Sequence, residues 1–594
     1  MILKALYDYY NRSLEYDPNS LPRYGTMEAL ISFIIVIDID GNYVRLEDAR
    51  HEDGKGRKYI LPKGEHNAGK SPLLFWDNCM YALGYSNSSI PLKDSDAKDP
   101  AKLKKWNEAL ARTHEKHEAF VEQCKLIAEE TQNQKLMAVY KFYANGQLSK
   151  LMSSKEWKLI KENPSANVSF QIEGDTQLVA TLPLLKKYVK IDSDETGICL
   201  ITGEKGPIVR KVTPAPLPLR GCQASASLVT FQKNYGFDSY GKSQAYNAPI
   251  SPAAEFAFST AYKKLIESKS RNNFKINNDR LYVFFASNHN KESEQIEDLF
   301  FDIFQNRDNP NLGISSVRKK LKSIFNGHKI ITGDDWFYIM GIASNKGREA
   351  VVYYVQIPIN EFAKLLDKHF KDMEIVAPRW RMPYCGLYQI LRSVCLNGDV
   401  DKNCPPNLPD AIVKSIFQGL PYPQTLFSST ILRIRAEQDV FPKLDKIPGN
   451  PCRVAIIKAY LNRLNDTNNK KISTMLDKDN QNQGYLCGRL FAVLENLQFV
   501  ADERDSIRAG YMNAASSTPS AVFPTILKLS NSHYSKLLSK GKKGLANHFD
   551  KQKKEIIAMI QDFPDTLDLR DQGRFFIGYY HQKNYKESKE TEQL

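Results

Sequence analysis

Four short runs in this 594-residue chain carry residue types that could perform chemistry. Gly64–Ser71, GEHNAGKS, matches the phosphate-loop pattern GxxxxGK[ST] letter for letter. In such a loop successive backbone N–H groups and a helix N-terminus cradle the phosphates, while Lys and Ser reach a phosphate and Mg²⁺. That chemistry needs a buried strand before the loop and a helix directly after it. Here the preceding RKYILPK is short, basic and interrupted by Pro62, and Pro72 biases Ser71 away from helical dihedrals. A Gly/Lys/Asn surface loop, able to touch DNA phosphates, is the better reading.

The second run, FIIVIDIDGN (Phe33–Asn42), contains the DxDG of phosphatases whose first Asp attacks beside Mg²⁺. A second alternating strand starts at Tyr43, so Asp40-Gly41 reads as turn chemistry instead. His114 and His117 stand at i, i+3 and could share a metal, but HExxH spacing and a third ligand are both missing. Ser239 to Lys242 fits SxxK without its SDN or KTG companions. No set of acidic residues suggests a nuclease. Catalysis has little support, and neither a cofactor nor a metal is predicted.

A different chemistry stands out in Ser227–Pro249. This stretch is dense in Asn, Gln, Ser, Lys and Tyr, holds one carboxylate (Asp238), and opens with an apolar run of strand character. Lys meets phosphates, amides donate and accept at base edges, and aromatics stack. The net charge of +14 fits a polyanionic partner. The first 474 residues hold 65 Lys/Arg against 53 Asp/Glu, whereas the segment from Met475 is nearly balanced at 17 against 15. Attraction to nucleic acid therefore falls mainly on the earlier part. Further basic clusters are Lys55-Gly-Arg57-Lys58, Arg318 to Lys322, Arg379-Trp-Arg381 and Lys540 to Lys543.

The elements that must position these residues follow from periodicity. Leu3–Leu14 is predicted as a helix, Ser32–Ile39 and Tyr43–Glu47 as a hairpin, and Lys102–Thr131 as a long helix. Short strands are expected between Val168 and Ile208, then at Leu281–Ser287, Trp336–Ser344 and Glu349–Ile357. After about Ile359 helical spacing dominates, in Glu361–Phe370, Leu387–Leu396, Pro409–Gln418, Cys452–Asn465, Gln483–Phe499, Ala521–Leu538 and Leu545–Gln561. The predicted fold class is α+β: a mixed strand/helix region over 1–360, then an all-α helical-bundle domain over 361–594. The tail from Lys583 is charged and expected to be disordered.

Nine scattered cysteines without a CxxC pair suit reduced thiols in a cytoplasmic protein. The N-terminus has no cleavable apolar core, no apolar run exceeds six residues, and no basic amphipathic helix suits a membrane, so no membrane association is expected.

Long ordered blocks carry more weight than any short pattern. MILKALYDYY, GKSPLLFWDNCMYALG (Gly69–Gly84), CLITGEKGPIVR (Cys199–Arg210), GCQASASLVTFQKNYGFDSYGKSQAYNAPIS (Gly221–Ser251), FAFSTAY, DWFYIMGIAS, ILRIRAE, AIIKAYLNR, YLCGRLFAVLENLQ, STPSAVFPTILKL and DQGRFFIGYYHQ run nearly end to end. Through them the chain resembles the large subunit of the type I-C CRISPR surveillance complex, Cascade, of the Dvulg subtype family. The resemblance implies a non-catalytic antiviral subunit within a guide-RNA ribonucleoprotein of backbone, RNA-processing and small subunits. Such a subunit recognises the protospacer-adjacent motif in double-stranded DNA, helps to open it, guides the displaced strand and supports recruitment of a separate helicase-nuclease. It also implies that the C-terminal part, 475–594, can be made separately as the small subunit from an internal start, at Met475 or the competing Met512.

For gripping DNA and reading the adjacent motif, the residue types favour two loops. One holds Lys63, Asn67, Lys70 and Ser71, and the other Gln223, Ser225, Lys233, Asn234, Lys242, Ser243, Gln244 and Asn247. Arg433 and Arg435 are candidates for the displaced-strand path. A phosphate-loop NTPase and a standalone DNA-binding protein remain the alternatives.

Overall fold

The computed structural model describes the chain from Ile2 to Asn584 except residues 19, 65–70, 93–98, 190–194, 233–234, 237–239, 277–279, 289–290, 306–334, 346, 377–384, 439–450, 465, 467–468 and 505. The basic runs at 318–322 and 379–381, Ser239 of SxxK and the tail from 585 lie outside the described residues. The α+β class holds: small sheets occupy the first part, and helices dominate the rest. Two compact units emerge. One comprises residues 13–211 and 232–260, the other 1–12, 212–231 and 261–594.

The first unit is built around Phe33–Ile37, whose five residues are all buried. Continuous apolar character marks a strand covered on both faces. It pairs antiparallel with Tyr43–Asp48 and parallel with Asn167–Ile172, which also pairs with Trp76–Asn78. A parallel neighbour demands a long crossover, and the helices between supply it. Pro100–Thr131 starts with Asp99 accepting from the Ala101 N–H (2.9 Å) and Pro100 in the first turn. Its buried Phe120, Cys124 and Ile127 join Val139 and Phe142 of Gln134–Ala144 in the core of this unit. Two small hairpin-like sheets complete it, Thr26–Ile31 with Arg57–Pro62 and Glu195–Ile198 with Lys205–Ile208.

The second unit carries an antiparallel sheet in which Arg280–Ala286 and Trp336–Asn345 lie between Asn273–Ile276 and Arg348–Pro358. The predicted boundary near residue 360 does not coincide with a break in this unit. Phe300, Phe337, Phe362 and Phe417 interlock in one core, with Phe362 and Phe417 stacked at 5.4 Å. That core continues into the helices Cys452–Arg463, Gln483–Asp502, Pro519–Ser539 and Leu569–Asn584. Sheet and bundle share one apolar interior, so a change of secondary structure is not a domain boundary here.

Several basic residues of this unit are structural. Lys458 donates to the Lys371 and Asp372 carbonyls (3.2 and 2.9 Å) at the end of the Ile359–Met373 helix, where a cation complements the exposed carbonyls. Arg463 pairs with Asp372 (2.7 Å), and Arg574 with Asp466 and Asp571. These cations are committed inside the fold, although their ion pairs leave the net charge unchanged.

Candidate nucleic-acid interface

The turn at Asp40-Gly41 settles the phosphatase motif. Asp38 accepts from the backbone N–H of Asp40 (3.0 Å) and Asn42 (2.8 Å) and from the Asn42 side chain (2.9 Å), and Gly41 adopts φ +84°. These hydrogen bonds, the Asn42 side chain first, hold the Asp38 carboxyl below its ordinary range. The carboxylate closes a hairpin, as the turn reading of Asp40-Gly41 expects. His117 is equally committed: Nδ1 lies 2.8 Å from the Tyr81 carbonyl, and burial lowers its pKa. Among the described residues no group of three or more His, Cys, Asp or Glu is placed to hold a metal ion. No described helix is long and apolar enough to cross a membrane.

Around the GEHNAGKS run, Asn67 and Lys70 lie outside the described residues, but both ends of the loop are fixed. The Lys63 amide donates to the Gly25 carbonyl (2.8 Å), and its ammonium sits over the Phe256 ring at 5.7 Å. Gly64 abuts Leu73 so closely that a Cβ would fall 2.3 Å from Leu73 Cδ2. The Leu73 N–H is in turn held by the fully buried Asp77 carboxylate (2.9 Å). Half-buried Ser71 is not followed by a helix: residues 71–75 are irregular, Phe75 adopts φ +59°, and the strand Trp76–Asn78 follows. The helix N-terminus that would complete a phosphate cradle is not there.

The amide-rich stretch behaves differently from its sequence pattern. Residues 227–232 form no strand; they are irregular chain after the Pro-rich 213–219. Gln223 and Ser225 are exposed in the second unit, with Gln223 Oε1 against Gly347. Lys233 and Asn234 lie outside the described residues. Lys242, Ser243, Gln244 and Asn247 belong to the first unit.

There a short 3-10 turn, Gln244–Asn247, is stitched to the Glu195–Ile208 hairpin. Ala245 N–H donates to the Arg210 carbonyl (3.1 Å), Val209 N–H to Ile250 (2.9 Å) and Leu200 N–H to Pro249 (2.9 Å). The Arg210 Nε donates to Gln244 Oε1 at 3.0 Å, a contact across 34 residues that aims a guanidinium along the loop. Asn247 uses its amide on the Lys242 and Gln244 carbonyls (3.0 and 2.9 Å), so it shapes the turn. Exposed Lys205, Arg210, Lys211 and Lys242 outnumber the exposed Glu195 and Glu204 of the hairpin. Lys63 joins the same structure, because Phe256 lies on the Pro252–Ile266 helix that begins immediately after this loop. Arg210 was missed from sequence; only its position in CLITGEKGPIVR hinted at it.

Arg433 and Arg435 are engaged within the bundle. Arg433 pairs with Glu437 (3.0 Å), and Arg435 donates to Gln572 (3.3 Å). Any contact with a displaced strand would compete with these partners.

No curated protein matches the chain. A family model described as CRISPR-associated protein (Cas_Csd1) matches residues 6–585. A match of that extent makes this chain a member of the CRISPR-associated Cas_Csd1 family and a Cascade subunit.

Proposed function

We propose that the chain is the large subunit of a type I-C Cascade. In this reading it grips duplex DNA beside the protospacer through the loop of Lys63, Lys70 and Ser71 and the Arg210–Gln244–Lys242 surface. The single observation that supports it best is the hairpin-bound turn, which ties Arg210 to Gln244 two residues from the exposed Lys242. Arg and Lys suit guanine edges and phosphates, and Gln suits adenine. Guide RNA pairing would then read sequence while protein reads the adjacent motif and duplex shape. Exchange of duplex for heteroduplex is nearly balanced, so a few protein contacts can bias opening. Cutting belongs to a recruited helicase-nuclease, and the complex works in the cytoplasm.

Within the same reading Met475 is the better of the two internal starts. It lies exposed ahead of the Gln483–Asp502 helix, and the 120-residue product would retain that helix together with Leu569–Asn584. A start at Met512 would omit the central helix of the pair.

Lys70→Ala or Lys242→Ala in reconstituted complex should weaken target binding by about 1 kcal/mol and reduce the slope of log affinity against log salt by about 1. Asn234→Ala should narrow the difference between adjacent motifs. Filter binding across a salt series checks both; wild-type affinity and slope in both lysine variants would remove these loops from the function.

A further inference from the structure

Large aromatic side chains usually hide most of their surface, and Tyr does so while keeping its hydroxyl wet. Two tyrosines of the first unit break that habit within six residues. Tyr240 is 91% exposed and Tyr235 70% exposed, whereas Tyr246, a few residues on, is buried. Glycines in left-handed conformation adjoin them, Gly236 at φ +86° and Gly241 at φ +74°, each with open space where a Cβ would stand. Tyr240 is followed after Gly241 by Lys242, whose carbonyl Asn247 anchors, and the turn holds Arg210 through Gln244. A solvent-exposed aromatic two residues before an exposed lysine, on a chain whose following turn is tied to Arg210, has the composition of a base-stacking site: the ring receives a π-face while the cations track the phosphates.

We infer that Tyr240 is a platform on which an unpaired nucleobase stacks as the duplex opens. This rests on the reading that DNA runs across this unit, and it adds the chemistry of the ligand, an unstacked base instead of a closed pair. An aromatic face accepts any base, so the platform would act on opening without choosing sequence. An amide or lysine at the same place could not replace it.

The test uses assembled complex and two targets. One is a closed duplex; the other carries two mismatched pairs next to the adjacent motif and a 2-aminopurine whose fluorescence reports unstacking. Tyr240→Ala should bind the closed duplex like wild type, lose about tenfold in affinity for the mismatched target, and alter the 2-aminopurine signal. Tyr240→Phe should behave like wild type, because the ring suffices. The side chain is almost wholly in solvent, so melting temperatures should not move. Wild-type behaviour of Tyr240→Ala on the mismatched target, with Lys242→Ala still weakened, overturns the platform and leaves the DNA-gripping reading standing. An equal loss in Tyr240→Phe also overturns it. If Lys242→Ala and Lys70→Ala both bind like wild type as well, the gripping reading falls and the platform with it.

Discussion

Gly488→Ala is expected to destabilise the helical part by about 4 kcal/mol, at the high end for a single substitution. Gly488 lies on the Gln483–Asp502 helix where it meets Leu569–Asn584 backbone to backbone. A Cβ there would fall 1.9 Å from the Phe575 carbonyl oxygen. Gly578 lies across the same contact, where a Cβ would fall 2.1 Å from the Tyr485 carbonyl oxygen, and a Cβ on Gly484 would fall 2.5 Å from that of Asp571. Backbone cannot rotate aside as a side chain can, so the helices must separate, and they carry the buried Leu490, Phe491, Phe575 and Tyr579 with them. Gly510→Ala provides the opposite sign. That glycine is inside the Ser506–Ala515 helix with nothing within 4 Å, so alanine should stabilise by roughly 0.5–1 kcal/mol through helix propensity. Urea unfolding of both variants checks the pair. A Gly488→Ala cost below 1 kcal/mol would mean that the two helices are not in backbone contact.

The second large effect is expected at Arg453, which is 1% exposed. Its Nη1 pairs with Glu437 Oε2 at 2.7 Å, and its Nε donates to the Ser393 carbonyl at 2.9 Å, near the end of the Leu387–Val394 helix. A buried pair adds little over a well-packed apolar one, but breaking it by removing one partner is expensive. Arg453→Met should cost about 3 kcal/mol, because the Ser393 carbonyl loses the Arg453 donor and Glu437 is left, among the described residues, with Arg433. Adding Glu437→Gln should then cost much less than it does alone, and a double-mutant cycle by thermal denaturation measures that coupling. Strict additivity would contradict the network.

These two sites show where the sequence is opaque. Hairpins and the long Pro100–Thr131 helix were legible because period and punctuation agree there. Asp40-Gly41-Asn42 marked a turn, and apolar residues recur at helical spacing from Leu103 to Ile127. Leu569–Asn584 was not picked out. It is buried on every side from Gln572 to Gln582, so no face alternates, and Gly573 and Gly578 look like breakers although Gly578 serves close approach. Gln424–Glu437 escaped for the related reason that polar and apolar residues do not segregate along it. At the candidate interface the residue types were visible but their partners were not. Nothing local tells that Asn247 holds its own turn, or that Gln244 positions Arg210 from another element. The phosphate-loop letters alone fix neither the helix that must follow them nor the buried Asp77 that takes the Leu73 N–H instead, and Pro62 and Pro72 already argued against the pattern.

The most direct test of DNA recognition is a gel shift with assembled complex and duplexes identical except for the flanking trinucleotide. We expect affinity to vary at least tenfold among flanks, and the spread to shrink when Arg210 and Gln244 are both changed to alanine. Equal binding to every flank, or an undiminished spread in the double variant, would contradict the claim that this hairpin-bound turn meets the duplex.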